Sequence, residues 1–306
     1  MIQTGQRAGR WAKTHGATVL HGHGLRWLPL FTAASVVSGL PLVVTLHNLV
    51  PKRMSAAERA VLRVSLLRAR AVIAVSEAVA DSAKHAGVSR PTVIRNGIAL
   101  ERFALPPDEK EKRRTAIRAD LSFPADAPVV LTVARLSPEK DVAGVLEAFA
   151  LALPRLPDSV RLLIAGSGPL RETLGWQARL LQLTERVTFL GPRSDIPDFL
   201  AASDVFALAS REEGLGLAVV EAMAAGLPLI VTNVGGLPEV VIGGETGTLV
   251  PPRDPVAMAD ALVQLLSNPA QAHAFGQAGQ IRARTHFNED AMMAATHAVY
   301  HRVTGK

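Results

Sequence analysis

The sequence predicts an α/β protein built on two parallel, doubly wound sheets, and three observations point there. Ten short apolar runs recur along the 306 residues, most ending in a Gly, Ser or Asn turn and most separated by longer amphipathic stretches. That alternation is the mark of βαβ units. Hydrophobic residues make up 48% of the chain and charged residues 20%, enough to bury a sizeable core and to exclude disorder. Finally, composition shifts between Glu101 and Ala127, which is charged and punctuated by Pro106-Pro107, before an apolar strand restarts at Pro128-Val129-Val130-Leu131. This segment reads either as a linker with a short solvated helix or as a long surface insertion in one domain. The length favours two domains.

Met1–Gly16 reads as a helix, followed by strands at Ala17–Leu20 and Leu42–Leu46. Trp27–Pro51 contains no Asp, Glu, Lys or Arg and is long enough to raise a membrane span. Gly39-Leu40-Pro41 breaks it, and Leu42-Val43-Val44-Thr45-Leu46 is a β-branched run better suited to a buried strand. Ser55-Ala56-Ala57-Glu58 is a capping box that opens a helix. At 100° per residue, Arg59, Arg63 and Arg70 fall within about 40° on one face, with Met54, Ala57, Val61 and Val64 near the other. Such a stripe is either a solvated face or a docking face. Strands follow at Ala71–Val75 and Thr92–Ile94, then at Val129–Ala134, Val160–Ala165, Val187–Leu190, Val205–Ala207, Pro228–Val231 and Gly247–Val250.

Charge is distributed unevenly. Residues 1–103 hold 14 Lys and Arg against 4 Asp and Glu, a net of +10, whereas the remainder holds 19 against 23. A basic first domain suggests an acidic partner. With no cysteine there is no disulfide framework, thiolate metal site or Cys nucleophile, which points to the cytoplasm. Met1–Gly24 has no apolar core of the secretory kind.

The strongest local signal is Glu213-Gly214-Leu215-Gly216, followed by a helical pattern from Leu217 through Glu221 to Gly226. Glycines at the start of a helix leave backbone N–H groups open to an anion or a hydroxyl. Spacing alone leaves open a solvated Glu pair beside an ordinary glycine turn. Gly166 and Gly168 form a Gly-x-Gly turn that suits either phosphate or close strand-to-helix packing. Glu239 suits the first turn of a helix. His21 and His23 have a spacing that could suit a metal, but no third and fourth ligand is evident.

Taken together, Glu213 and Glu221 with the glycines between them resemble the E-x7-E motif of GT-B glycosyltransferases of family 4, which are retaining nucleotide-sugar enzymes. Arg135-Leu136-Ser137-Pro138-Glu139-Lys140 resembles the family's R-L-x-x-E-K segment, and Gly166-Ser167-Gly168-Pro169 its G-x-G-P turn. Gly235-Gly236-Leu237-Pro238-Glu239 and Thr246-Gly247-Thr248-Leu249-Val250-Pro251-Pro252 are similar to the loops that follow. More loosely, His21-Gly22-His23, Thr45-Leu46-His47-Asn48, Val75-Ser76 and Asn96-Gly97-Ile98 resemble motifs of the family's first domain. Departures are Ala134 and Asp141 for Gly, Leu215 for Phe and Ala99 for Asp.

The resemblance implies a GT-B fold of two Rossmann-like domains with a cleft between them. Residues 1–104 would form the acceptor-side domain, shortened by its first strand and Gly-rich turn, and 105–127 the linker and short helix. Residues 128–285 would bind the nucleotide sugar, and 286–306 would form a helix crossing back. It further implies transfer of a hexosyl unit from a UDP- or GDP-sugar to a glycan or lipid-linked acceptor, in cell-surface polysaccharide or glycolipid synthesis. Arg135 and Lys140 would stabilise the departing diphosphate, together with the helix N-terminus near Gly216 and Leu217. Glu221 would bind the ribose hydroxyls and Glu213 the sugar, since a hydroxyl needs an acceptor. His47 would face the donor sugar, so the catalytic set is His47, Arg135, Lys140 and Glu213. The donor-binding set is Gly166, Gly168, Arg193, Gly214, Leu215, Gly216, Leu217 and Glu221.

No metal or other cofactor is implied. The Asp-x-Asp pair of the metal-dependent GT-A class is absent from the sequence. Arg59, Arg63 and Arg70 would dock on an anionic membrane at the inner face, and nucleic acid is not expected as a partner. Two other readings stand beside this one. They are a non-catalytic nucleotide-sugar-binding remnant and another GT-B enzyme, such as a sugar-nucleotide epimerase or a phosphorylase.

Overall fold

All ten expected strands form, nine of them within two residues of the expected ends. The structure is a computed structural model, and it describes residues 1–51 and 53–305. Lys52, within the first expected domain, and Lys306, at the end of the expected final helix, lie outside the described residues. The chain divides into two units: Met1–Gly97 with Glu213–Leu215 and Glu289–Lys306, and Ile98–Glu212 with Gly216–Asn288.

In the first unit the elements are α1 (Ile2–Thr14), β1 (Leu20–His23), α2 (Leu28–Ser38), β2 (Leu42–Leu46), α3 (Ala56–Arg68), β3 (Ala69–Ala74), α4 (Glu77–His85) and β4 (Thr92–Val93). The strands pair in parallel in the order β1-β2-β3-β4. β2 is buried along its whole length, as a strand covered on both faces should be. The first strand begins three residues later than expected, because residues 15–17 wrap the end of α1. His15 N donates to Trp11 O and Ala17 N to Ala12 O, so the ladder starts only where Leu20 meets Leu42.

The α3 expectation needs two corrections. The capping box forms, with Ser55 Oγ accepting from Glu58 N at 3.2 Å and Glu58 accepting from Ser55 N at 2.8 Å. The helix nevertheless stops at Arg68, because Val43 pairs with Ala71 and draws the backbone at Arg70 into β3. Arg70 therefore lies on a strand rather than on the stripe of Arg59 and Arg63. The inward face is also different, being Leu62, Ser65 and Leu66 at helical spacing. Ala57, Val61 and Val64 are exposed. The charge-free stretch resolves into α2, ended by Gly39 in the left-handed region, and then β2. Among the described residues no helix is long and apolar enough to cross a membrane.

In the second unit the order is α5 (Pro107–Asp120), β5 (Val129–Val133), α6 (Val142–Ala152), β6 (Arg161–Ala165), α7 (Arg171–Leu180), β7 (Val187–Gly191), α8 (Ile196–Ala202) and β8 (Val205–Leu208). α9 (Leu217–Ala224), β9 (Leu229–Thr232), α10 (Leu237–Val240), β10 (Gly247–Val250), α11 (Pro255–Ser267) and α12 (Pro269–His286) complete it. Six parallel strands run β10-β9-β8-β5-β6-β7. Side chains of β5, β6, α6 and α11 fill the core, with Phe149, Leu146 and Leu162 fully buried, each worth roughly 1.5–3 kcal/mol. α5 carries the charge noted between the two apolar halves. Its Arg118 is buried, donating to Ala127 O at 2.7 Å and to Asp204 Oδ2 at 2.8 Å. The last helix, α13 (Glu289–Thr304), packs Val299 with Val43 and Ile73 in the first unit's core.

Candidate functional site

The second sheet has one topological switch point. From β5 the chain winds outward through β6 to β7 on one side, and from β8 through β9 to β10 on the other. Open α/β sheets bind ligands at the carboxyl ends of the strands where the order reverses, which here is β5 and β8. Arg135 and Lys140 both follow β5, with Lys140 closing the turn Pro138–Lys140. Arg135 is exposed and pairs with Glu139 at 2.8 Å. An exposed pair of this kind is worth at most about 1 kcal/mol, so an incoming anion can replace Glu139 at small cost.

Two residues absent from the expected site tie these loops together. Asp141 adopts φ 45°, and its nearly buried carboxylate accepts from Arg211 Nε at 2.9 Å and Nη2 at 2.8 Å. This pairing raises the Arg211 pKa, chiefly through the hydrogen bond and then the charge of Asp141. Arg211 N also donates to Glu139 O at 2.8 Å. The available signal was Asp141 standing where the family has Gly. A left-handed backbone explains the usual glycine, and the ion pair explains the aspartate.

Gly166 and Gly168 follow β6 and pack backbone against backbone on the neighbouring turn. A Cβ at Gly166 would lie 1.9 Å from Ala134 O, and one at Gly168 2.4 Å from Leu136 O. Arg193 follows β7, the outermost strand, where it donates to Asp195 Oδ1 at 2.8 Å and lies over Phe199. The topology therefore sets Arg193 away from the switch point, with β6 between.

Gly216, at φ 93°, caps α9, and Leu217 opens that helix half-exposed. The first-turn amides of a helix have no internal acceptor, and the positive end of its dipole lies there. One turn in, Glu221 is half-buried and makes no side-chain hydrogen bond among the described residues. Burial raises its carboxyl pKa, and Arg102 opposes the rise. Glu239 sits in the first turn of α10.

In the first unit His47 directly follows β2 and meets His23, which in turn meets His21. His23 Nδ1 and His47 Nε2 lie 2.9 Å apart, and the His21 and His23 ring centroids 4.3 Å apart. His21 Nε2 bonds Thr45 Oγ1 at 2.7 Å, while its Nδ1 bonds the Tyr300 hydroxyl. Burial, and then the charges of His23 and His47, lower the His21 pKa from 6.5 to about 4. Burial, and then His23, lower that of His47. The third imidazole near His21 and His23 is thus present, with His23 stacked on His47 and tilted against His21. Among the described residues no group of three or more His, Cys, Asp or Glu is arranged to hold a metal ion.

Glu213, Gly214 and Leu215 belong to this first unit, all buried. Ser76, which also caps α4, donates from Oγ to Gly214 O at 2.6 Å. A Cβ at Gly214 would lie 1.9 Å from His47 O. Glu213 is therefore grouped with His47, while Glu221 is grouped with Arg135 and Lys140. Sequence reasoning missed Thr45 and Tyr300, the latter more than 250 residues away along the chain from its partner His21.

Comparison with known proteins identifies the family and the fold. Residues 113–282 match the family Glycosyl transferases group 1, and residues 1–102 match Glycosyltransferase Family 4. A GDP-mannose-dependent α-(1-6)-phosphatidylinositol monomannoside mannosyltransferase of Mycolicibacterium smegmatis is 37% identical over 60% of this chain and 49% of its own length. A D-inositol 3-phosphate glycosyltransferase of Streptomyces scabiei is 31% identical over 97% of this chain and 69% of its own. The chain thus spans between half and about two thirds of these curated relatives. Among solved structures, Anabaena Alr3699/HepE in complex with UDP superposes with a TM-score of 0.85 at 27% identity, covering 96% of this chain and 82% of that one. With its two parallel-sheet α/β units, the chain has the GT-B glycosyltransferase fold and belongs to the Glycosyl transferases group 1 family.

Proposed function

We propose that this chain is a retaining, metal-independent hexosyltransferase that moves a sugar from a UDP- or GDP-sugar to a glycan or lipid-linked acceptor, in cell-surface polysaccharide or glycolipid synthesis. The observation that carries the reading is the switch point of the second sheet. Two cationic side chains, Arg135 and Lys140, and the N-terminus of α9 all lie at its strand ends. When the glycosidic C–O bond breaks, its electron pair goes to the diphosphate, and positive groups there lower the barrier. Glu221, half-buried and without a side-chain hydrogen bond among the described residues, suits a ribose diol as an acceptor. His47, kept neutral near pH 7 by its lowered pKa, can bond a sugar hydroxyl, and Glu213 is assigned to the same sugar. Gly166, Gly168, Gly214, Leu215, Gly216 and Leu217 shape the donor pocket, with Arg193 as an outlying member. The relative named for GDP-mannose, and the Anabaena protein solved with UDP-glucose, support a nucleotide-hexose donor.

Docking on an anionic leaflet at the inner face of the membrane belongs to the same proposal. Its support is exposed Arg59 and Arg63 on α3 beside exposed Val61, Val64 and Leu67, in a domain of net charge +10.

The test has two steps. Thermal unfolding is measured with UDP-, GDP- and ADP-sugars, because a ligand that binds only the folded chain raises its Tm. Release of nucleoside diphosphate is then followed on adding acceptor. No shift with any sugar nucleotide overturns the donor assignment, and binding without release leaves the non-catalytic reading.

A further inference from the structure

The first unit has a second basic feature, at the end of its sheet opposite to His47. His47 and Ser76 follow the carboxyl ends of β2 and β3. Arg70 and Thr92, by contrast, lie where β3 and β4 begin. A cavity of about 610 Å³ opens there, lined by Arg63, Arg70, Arg90 and Arg302 together with Ser89 and Leu67. An adjoining cavity of about 640 Å³ is lined by Arg68 and shares Arg70 and Arg302 with the first. Five guanidinium groups thus come together, three from the contiguous α3 and β3 and one each from the turn before β4 and from α13, which are distant in the sequence. Among the described residues no Asp or Glu lines either cavity, and none of these arginines makes an ion pair. Only two long hydrogen bonds orient them, Arg68 to Ser35 O at 3.4 Å and Arg302 to Thr92 Oγ1 at 3.3 Å.

Like charges gathered without counter-charge repel one another, and an anion relieves that repulsion. Guanidinium forks match phosphoryl oxygens two at a time, which distinguishes this group from a scatter of lysines. Arg90 adds a further sign. It stands at φ 56° immediately before Pro91, although both its Cβ and the proline disfavour that backbone. Holding a side chain in an uncommon conformation at the rim of a cavity is a known habit of ligand clamps.

We propose that these adjoining cavities bind a phosphate-bearing anion with at least two phosphoryl charges, either a soluble diphosphate or a phosphomonoester lipid headgroup. The site is separate from the nucleotide-sugar site and does not depend on that reading. Leu67, 75% exposed at the cavity wall, offers an apolar neighbour of the kind a headgroup at a membrane surface would meet.

Calorimetry with inorganic pyrophosphate tests the proposal on the full chain. The background is Lys140→Gln, which weakens any binding of pyrophosphate at the proposed donor site. Pyrophosphate is expected to bind this background and to weaken about tenfold for each arginine removed in Arg70→Gln and Arg302→Gln, as loss of a charge-assisted hydrogen bond would predict. Arg63→Gln and Arg90→Gln are separate variants of exposed side chains and give an independent reading should either of the first two unfold. A parallel arm measures sedimentation with vesicles of equal parts phosphatidate and phosphatidylcholine. Arginine-dependent pyrophosphate binding supports the site with a soluble ligand. Sedimentation that depends on Arg70 and Arg302, which lie off the α3 docking face, with weak pyrophosphate binding supports the lipid headgroup. If neither depends on these arginines, the proposal is overturned and they form a solvated surface. UDP binding by Arg70→Gln should equal that of the parent, so the two sites can fail independently.

Discussion

Arg211→Ala is the perturbation whose consequence the structure specifies most closely. Arg211 is 40% exposed and its partner Asp141 only 6%, so the two partners are not equivalent. Removing the guanidinium strands a nearly buried carboxylate that had two charge-assisted hydrogen bonds, at a cost of about 2–4 kcal/mol. Asp141→Gly breaks the same pair but leaves an arginine that water can solvate. Glycine also relaxes the left-handed backbone, recovering about 1–2 kcal/mol. The glycine variant should therefore lose about 1 kcal/mol or less, and the double variant should match it rather than Arg211→Ala. In thermal unfolding, Arg211→Ala should fall by roughly 5–10 °C and regain most of that when Asp141→Gly is added. Equal losses in the two single variants, or a double variant less stable than Arg211→Ala, would refute the role given to this pair.

Other substitutions test different parts of the molecule. Gly166→Val should abolish stable folding of the second unit or cost more than about 3 kcal/mol, since its Cβ would sit 1.9 Å from Ala134 O; a Tm equal to the parent's contradicts the packing. Glu221→Gln removes a carboxyl whose pKa burial raises. It should leave Tm unchanged or higher while weakening UDP binding about tenfold by calorimetry, and unchanged affinity would remove Glu221 from the site. His21 has a folded pKa lowered from 6.5 to about 4, so the unfolded chain binds the extra proton. Stability should be fully present above pH 6.5 and decline between 6.5 and 4, by about 2 kcal/mol after discounting for partial exposure. His21→Asn should flatten that stretch of the Tm profile. Val64→Glu on exposed α3 should reduce sedimentation with anionic vesicles without lowering Tm, and equal binding to neutral and anionic vesicles would end the docking reading.

Much of the fold was legible because its information is local. Runs such as Leu42–Leu46 carry enough β-branched residues to name a buried strand, and Ser55 with Glu58 names a helix start. What misled was also local. Continuing the helical count through Arg70 ignored the pairing of Ala71 with Val43, and a ladder contact between distant segments outweighs propensity. The outward turn of Val61 and Val64 has the same origin, since the face α3 buries depends on its neighbours and not on its own composition. The motif residues were nameable by resemblance, but their grouping was not. Glu213 and Glu221 are eight apart in the chain and still belong to different units.

The sequence by itself determined the α/β class, the two-part organisation, the basic first domain and the family resemblance from which the candidate site residues were named. These follow from periodicity, composition and short motifs, which are properties of short windows. Only the tertiary structure decided that Asp141 and Arg211 clasp two loops at the switch point, that Tyr300 and Thr45 hold His21, and that arginines from three separate stretches of the chain share one pair of cavities. Each of those depends on segments brought together by the burial of β2, β5 and the helices that cover them, and in each at least one partner, such as Tyr300, Arg211 or Arg302, lies far along the chain from the rest.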